Sequence, residues 1–217
     1  MKIALSAYRF IENHKIHILL ISLIMMILIP PFLNHAEDWM DLYIKGDFLL
    51  IVIACFLIVK KFRVSRIISQ LTFLLIIVDW FMEHDILDYV GQVGLTWVIL
   101  HAFVLVLREA MSLKGDTKNL ILVSITGYMI IGFLGGLASA ALNYVFPGSY
   151  VHNSELVLDL YHFIYFGYVT MTTLGYGDII PLSYKAQAVS LVLVICGQLF
   201  LSVIIAINIA KFMQKMK

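Results

Sequence analysis

Of the 217 residues, 62% are hydrophobic and only 13% charged, with a formal net charge of +1 and a mean hydropathy of +0.96. This composition excludes an ordinary soluble domain and places the chain in a bilayer. Apolar runs take up most of the length, leaving little for a soluble catalytic or ligand-sensing domain, and the balanced charge offers nothing to a nucleic-acid partner.

Six apolar segments follow one another: Ile16 to Leu33, Tyr43 to Phe62, Ile67 to Met82, Val90 to Leu107, Leu120 to Phe146 and Ala186 to Phe212. About 20 helical residues cross a hydrocarbon core about 30 Å thick, so each is expected to span. The first ends at Pro30-Pro31 and lacks the small-residue cleavage site of a signal peptide. In the second, the purely apolar stretch from Phe48 to Val59 is short unless Lys60 and Lys61 snorkel to the headgroups. Cys55 and Cys196 fall inside apolar runs without metal-ligand spacing and read as buried thiols.

Charge sorts by side. With loops assigned alternately, one side holds Lys2, Arg9, Lys15, Lys60, Lys61, Arg63, Arg66, Arg108, Lys114, Lys118, Lys211, Lys215 and Lys217, and the other only Lys45 and Lys185. That second side collects Glu37, Asp38, Asp41, Asp47, Glu83, Asp85, Asp88, Glu155, Asp159 and Asp178. The positive-inside rule then puts both termini in the cytoplasm, and an odd number of spans would break the pattern. The basic run Lys60, Lys61, Arg63 and Arg66 can also attract anionic membrane lipids.

Between the fifth and sixth spans, on the outer side, Leu158 to Thr172 reads as a helix too short to cross, with Asn153 or Ser154 as its N-cap and Glu155 and Asp159 near its start. From Thr173 to Gly177 the helix cannot continue. Gly175 and Gly177 bracket Tyr176, which suits a backbone alternating between ordinary and left-handed conformations and turning successive carbonyls the same way. Irregular backbone at membrane depth survives only when buried in protein or lining a watery path.

The run Thr170-Met171-Thr172-Thr173-Leu174-Gly175-Tyr176-Gly177-Asp178 resembles the signature of potassium channels, whose usual core is Thr-Val-Gly-Tyr-Gly, with Leu174 in place of Val. The resemblance covers about Leu120 to Phe212 and implies an all-α membrane protein: six transmembrane helices plus a re-entrant pore helix and a selectivity filter, assembled as a tetramer. It implies a filter at Thr172, Thr173, Leu174, Gly175, Tyr176, Gly177 and Asp178. The carbonyls of Thr173, Leu174, Gly175 and Tyr176, with the Thr173 hydroxyl, would replace the hydration shell of K+. Tyr165 and Asp178 align with positions that brace the outer mouth. Val169 stands where some relatives carry a glutamate. No cofactor is implied beyond K+ as the permeant ion.

One filter segment per chain requires four chains, by default a homotetramer. Gly132 and Gly136 form a small-xxx-small pair that lets a neighbouring helix approach. Gly197 falls where many potassium channels place a hinge, a position that serves bending or tight packing on the re-entrant helix. Ser202, Ile205, Ala206 and Ile209 are candidates for an inner constriction. The fourth span contains no Lys or Arg and ends at Arg108, so residues 1–118 have a voltage-sensor layout without its arginines, ahead of a pore domain at 119–217. Weak voltage dependence is expected.

The outer residues Asp79, Glu83, His84, Asp85 and Asp88 suit a divalent cation or a pH sensor less well than an external loop, and His101 and His162 read as packing histidines. The lack of any metalloprotease motif, nucleophile elbow, phosphate loop or paired intramembrane carboxylates argues against an enzyme. The rivals are a nonselective cation channel, a transporter subunit, or a regulatory subunit of another channel. A separate regulatory subunit as partner and a prokaryotic plasma (inner) membrane complete the expectations.

Overall fold

The computed structural model describes residues 14–33, 37–82, 85–111, 117–152 and 159–215. They form α1 (Lys15–Leu28), a 3-10 turn (Pro30–Phe32), α2 (Glu37–Val59), α3 (Arg63–Met82), α4 (Asp85–Met111), α5 (Thr117–Val145), β1 (Tyr150–His152), α6 (Leu160–Met171), β2 (Ile179–Pro181) and α7 (Tyr184–Lys215). Two compact units divide the chain, 1–108 and 109–217, ten residues ahead of the boundary drawn from sequence.

Among the described residues five helical stretches are long and apolar enough to cross a membrane: Lys15–Phe32, Leu42–Val59, Tyr89–Arg108, Leu120–Val145 and Tyr184–Ala210. The third expected span forms a 20-residue helix, α3, but is not among the five. Ser65, Ser69, Gln70, Thr72 and Asp79 interrupt its apolar run. The first span stops being α-helical at Leu28, short of the expected Leu33. Pro30 and Pro31 supply no N–H to continue the ladder, and the chain tightens into a 3-10 turn.

In the first unit α2 packs on both α1 and α3. Asp47, expected in an outer loop, is a buried residue of α2, only 3% exposed. Asp79, at 5%, is buried as well, and its carboxylate meets Lys45 Nζ at 3.4 Å. Glu83 and His84 lie outside the described residues, as do the side chains of Asp85 and Asp88. His101 lies against Ser65 Oγ and the Phe62 ring.

The second unit is organised around α6, a 12-residue helix lying between α5 and α7. A Cβ on Gly167 would collide with the Gly132 carbonyl and come within 2.6 Å of the Gly136 nitrogen, while one on Gly136 would lie 2.6 Å from the Ile164 Cα. The pair Gly132 and Gly136 thus admits the backbone of α6 of the same chain, and the ring of Tyr168 covers Gly132. Gly135 receives Leu193 of α7. Outside this crossing β1 and β2 pair antiparallel, with Val151 opposite Ile180, and close the outer segments on each other. Ser183 caps α7 by accepting from Ala186 N–H at 3.1 Å, and Leu182 N–H reaches the Ser149 carbonyl at 2.8 Å.

Adding a methyl at Gly167 pushes one backbone into another, which no rotamer change relieves. Gly167→Ala should lower stability by about 1–3 kcal/mol. At Gly46, on α2, a methyl would meet nothing within 4 Å, so Gly46→Ala should be neutral or stabilise by about 0.5–1 kcal/mol. Thermal unfolding of both variants in detergent checks the contrast, and equal melting temperatures would refute it.

Candidate functional site

The short helix α6 begins at Asp159, whose carboxylate accepts from the His162 N–H at 2.9 Å and meets His162 Nδ1 at 2.6 Å. Asp159 is therefore itself the N-cap and not a first-turn residue, because its side chain reaches the helix's unsatisfied N–H groups. Asn153, Ser154 and Glu155 lie outside the described residues. Burial would raise the Asp159 carboxyl, but the His162 hydrogen bonds outweigh it and hold the group below the usual carboxylate range. At its other end α6 stops at Met171, and Thr172 Oγ1 donates to the Tyr168 carbonyl at 2.7 Å.

Beyond Met171 the backbone leaves the helix in a fixed way. Thr173, Gly175 and Gly177 have φ of 62°, 56° and 78°, and Thr173 is the lone non-glycine with positive φ among the described residues. For a β-branched residue this conformation costs about 1–3 kcal/mol and persists only where the surroundings enforce it. The enforcing bonds are visible. Thr173 N–H donates to the Thr170 carbonyl at 3.0 Å, while the N–H groups of Leu174 and Gly175 both donate to the Val169 carbonyl, at 3.0 and 3.3 Å. The last carbonyls of α6 thus hold the start of the extended segment.

The first three N–H donors of this segment are used, but its acceptors are not. Among the described residues no hydrogen bond is made to the carbonyls of Thr173, Leu174, Gly175 or Tyr176. On the single chain residues 172–177 are all exposed, Leu174 at 56% and Tyr176 at 67%. Thr172 Oγ1 turns back into α6. Behind the segment a cavity of about 230 Å³ is lined by Phe166, Val169, Thr170, Gly175, Asp178 and Ser190. Val169 is buried and contributes no carboxylate there.

Tyr165 and Asp178 meet as the sequence suggested: the phenol donates to Asp178 Oδ2 at 2.7 Å, and Ile179 N–H donates to Oδ1 at 3.0 Å. Burial would raise the Asp178 carboxyl, yet these hydrogen bonds and the nearby His152 lower it below its ordinary value. Both oxygens are engaged, which fixes the residue directly after Gly177.

Gly197 is buried on α7 against the end of α6, where a Cβ would lie 2.5 Å from Met171 Cγ and 3.0 Å from the Met171 carbonyl. Tight packing on α6 accounts for this glycine, and α7 runs through it as one helix from Tyr184 to Lys215. Ser202, Ile205, Ala206 and Ile209 are exposed on the single chain and share one face of α7 by their spacing. Cys55 is buried as expected, but Cys196 is exposed on α7.

Sequence reasoning missed two supports of α6. Tyr150 is fully buried, donates to Ser139 Oγ at 3.1 Å and packs edge-on against Phe163 and Phe166. Tyr168 donates to the Met129 carbonyl at 2.8 Å. A signal was present for Tyr168, since Gly132 leaves room for a ring one helix away; Tyr150 follows a Pro-Gly-Ser turn and carries none.

With this geometry in place, residues 120–215 match the family model described as ion channel, slightly less than half of the chain. No curated protein and no solved structure matches it. The match supports an ion-channel pore domain over these residues, and with the five apolar helices it supports a multi-pass membrane protein.

The Asp178 carboxyl is lowered, so the Tyr165 brace is present at neutral pH and is lost as pH falls through a value below the usual carboxylate range. Tyr165→Phe removes it at every pH. The half-exposed carboxylate limits the loss to about 1 kcal/mol. Unfolding curves in detergent should separate wild type from variant at neutral pH and converge in acid; coincidence at neutral pH would show that the brace contributes nothing.

Proposed function

We propose that the chain is one subunit of a homotetrameric, potassium-selective channel that conducts passively across the plasma membrane. The observation that carries this reading is the set of four consecutive carbonyls, Thr173 to Tyr176, without a donor, on a segment whose first three N–H groups are tied to α6. At membrane depth an unsatisfied carbonyl costs several kcal/mol, and a dehydrated cation ringed by four such segments removes that cost. Leu174 and Tyr176, exposed on the single chain, would pack against neighbouring copies in such a ring.

Ions would move in single file between cages formed by the carbonyls of Thr173, Leu174, Gly175 and Tyr176 and the Thr173 hydroxyl. The C-terminal end of α6 at Met171 and Thr172 would hold a cation in the cavity below by its partial negative charge. The face of α7 bearing Ser202, Ile205, Ala206 and Ile209 would narrow the inner mouth, closing by dewetting. Taking α3 as a sixth span puts both termini in the cytoplasm, in keeping with the sorting of lysine and arginine.

Flux into liposomes containing the purified protein tests the reading. Potassium should enter and sodium should not, and Gly175→Ala should abolish entry. Gly175 has φ of 56° and open space at the Cβ position, so the variant reports on backbone conformation and not on a clash. Equal flux of both ions would make the chain a nonselective cation channel, and no flux at any potential would make it a regulatory subunit.

The α4 helix carries one basic residue in its last turn, Arg108. Each charge crossing the field contributes only about 2.3 kcal/mol per 100 mV, so steep gating needs several. Patch recordings should give a shallow conductance–voltage relation, and a steep one would overturn the assignment of the first unit.

A further inference from the structure

The first unit has a polar interior that ion passage through the second unit does not use. On α3, Ser65, Ser69, Thr72 and Asp79 fall on one stripe, and each is at most 5% exposed. Fourteen residues separate the first from the last, about 21 Å of helix against a hydrocarbon core of about 30 Å. A buried stripe of hydroxyls through most of that depth is not needed for packing, and each unsatisfied group there costs free energy.

The neighbouring helices complete the line. At the inner end the His101 ring of α4 meets Ser65 Oγ. Halfway along, α4 presents Gly94, where a Cβ would lie 2.5 Å from Thr72 Oγ1, a hydroxyl that donates to the Ile68 carbonyl of its own helix at 2.9 Å. Toward the outer end α2 supplies Lys45, paired with Asp79, and one turn apart on the same helix Tyr43 and Asp47. The apolar member of the stripe is Ile76, and by the register of the Lys45–Asp79 pair Asp47 lies near its level.

Several of these groups lack partners. Ser69 Oγ, Asp47 Oδ2, Asp79 Oδ1 and the Tyr43 hydroxyl are all buried side-chain oxygens without a hydrogen bond. Ser69, Asp47 and Asp79 are at least nine-tenths buried. Lys45 pairs with Asp79, and Asp47 brings a second carboxyl, one oxygen of it unpartnered, into the same interior. Groups of this kind retain water, and intramembrane ionisable residues joined through water are the elements of proton relays.

We propose that the first unit is itself a proton pathway, in which water between His101, Ser69, Asp47 and Asp79 passes protons across the membrane independently of the cation pore. A proton taken up at one end displaces another at the far end, so nothing is oxidised or consumed. The His101 ring, the Asp47 carboxyl and the Asp79–Lys45 pair hand the proton on, and the unpartnered Ser69 hydroxyl binds the intervening water. The track lies within one chain and does not depend on potassium selectivity.

The experiment uses the full chain in liposomes holding a pH-sensitive dye, with the membrane potential set by a potassium gradient and valinomycin. Proton entry should exceed that of protein-free vesicles, persist in Gly175→Ala, and fall to the protein-free rate in Asp47→Asn. Ser69→Ala, a small change on another helix, should also slow it. Wild-type elution in detergent and undiminished cation flux of Asp47→Asn establish that this variant is folded. No proton entry above protein-free vesicles, entry that Gly175→Ala abolishes, or entry indifferent to both Asp47→Asn and Ser69→Ala would each overturn the proposal.

Discussion

Everything in the second unit depends on how closely α6 approaches α5. Gly167 meets the backbone at Gly132 and Gly136 directly, a separation that any side chain at these positions would widen. Because α6 is held there, Met171 reaches Gly197 of α7, and the Val169 and Thr170 carbonyls stand where they can receive the next three N–H groups of the chain. The left-handed turn at Thr173 follows from these bonds. A β-branched residue would not adopt that conformation alone, so the strain is carried by the fit of helix on helix.

The same logic explains why the segment after α6 is fixed at both ends. Residues 173–175 spend their N–H groups on α6 while the carbonyls of residues 173–176 receive none, which leaves the segment attached at its start only. Its far end is fixed by Asp178, held between the Tyr165 phenol and the Ile179 N–H. Ile179 begins β2, β2 pairs with β1, and β1 carries the buried Tyr150 ring against Phe163 and Phe166 of α6. The path closes on the helix from which it started, so the extended segment is clamped at both ends by one rigid element.

Much of this was legible in the sequence, for identifiable reasons. Long apolar runs and the sorting of lysine and arginine announce membrane helices, since hydrocarbon permits little else. The Gly-Tyr-Gly triplet announces alternating backbone, because Gly175 and Gly177 accept a positive φ without cost. What was not legible depended on partners distant in sequence. Asp47 looked like a loop carboxylate because its neighbours Asp38 and Asp41 are acidic, yet it is buried within α2. Asp159 looked like a dipole-favouring residue and proved to be the cap itself. Whether Gly197 bends or packs could not be read from its position, whereas its contact with Met171 gives it a packing role.

The two units place their unsatisfied groups differently, and the difference has physical content. In the second unit the free acceptors are uncharged carbonyls on an exposed segment, a surface open to further copies of the chain. In the first they are side-chain hydroxyls and carboxylates enclosed among helices, with a lysine to balance one charge. Carbonyls in a row can exchange places with the water around a metal cation, whereas isolated titratable groups separated by hydroxyls can hold a proton but offer no such cage. A chain that needed only a scaffold in its first unit would have no reason to keep Asp47 in its interior, because an apolar residue of similar volume would pack there without that cost.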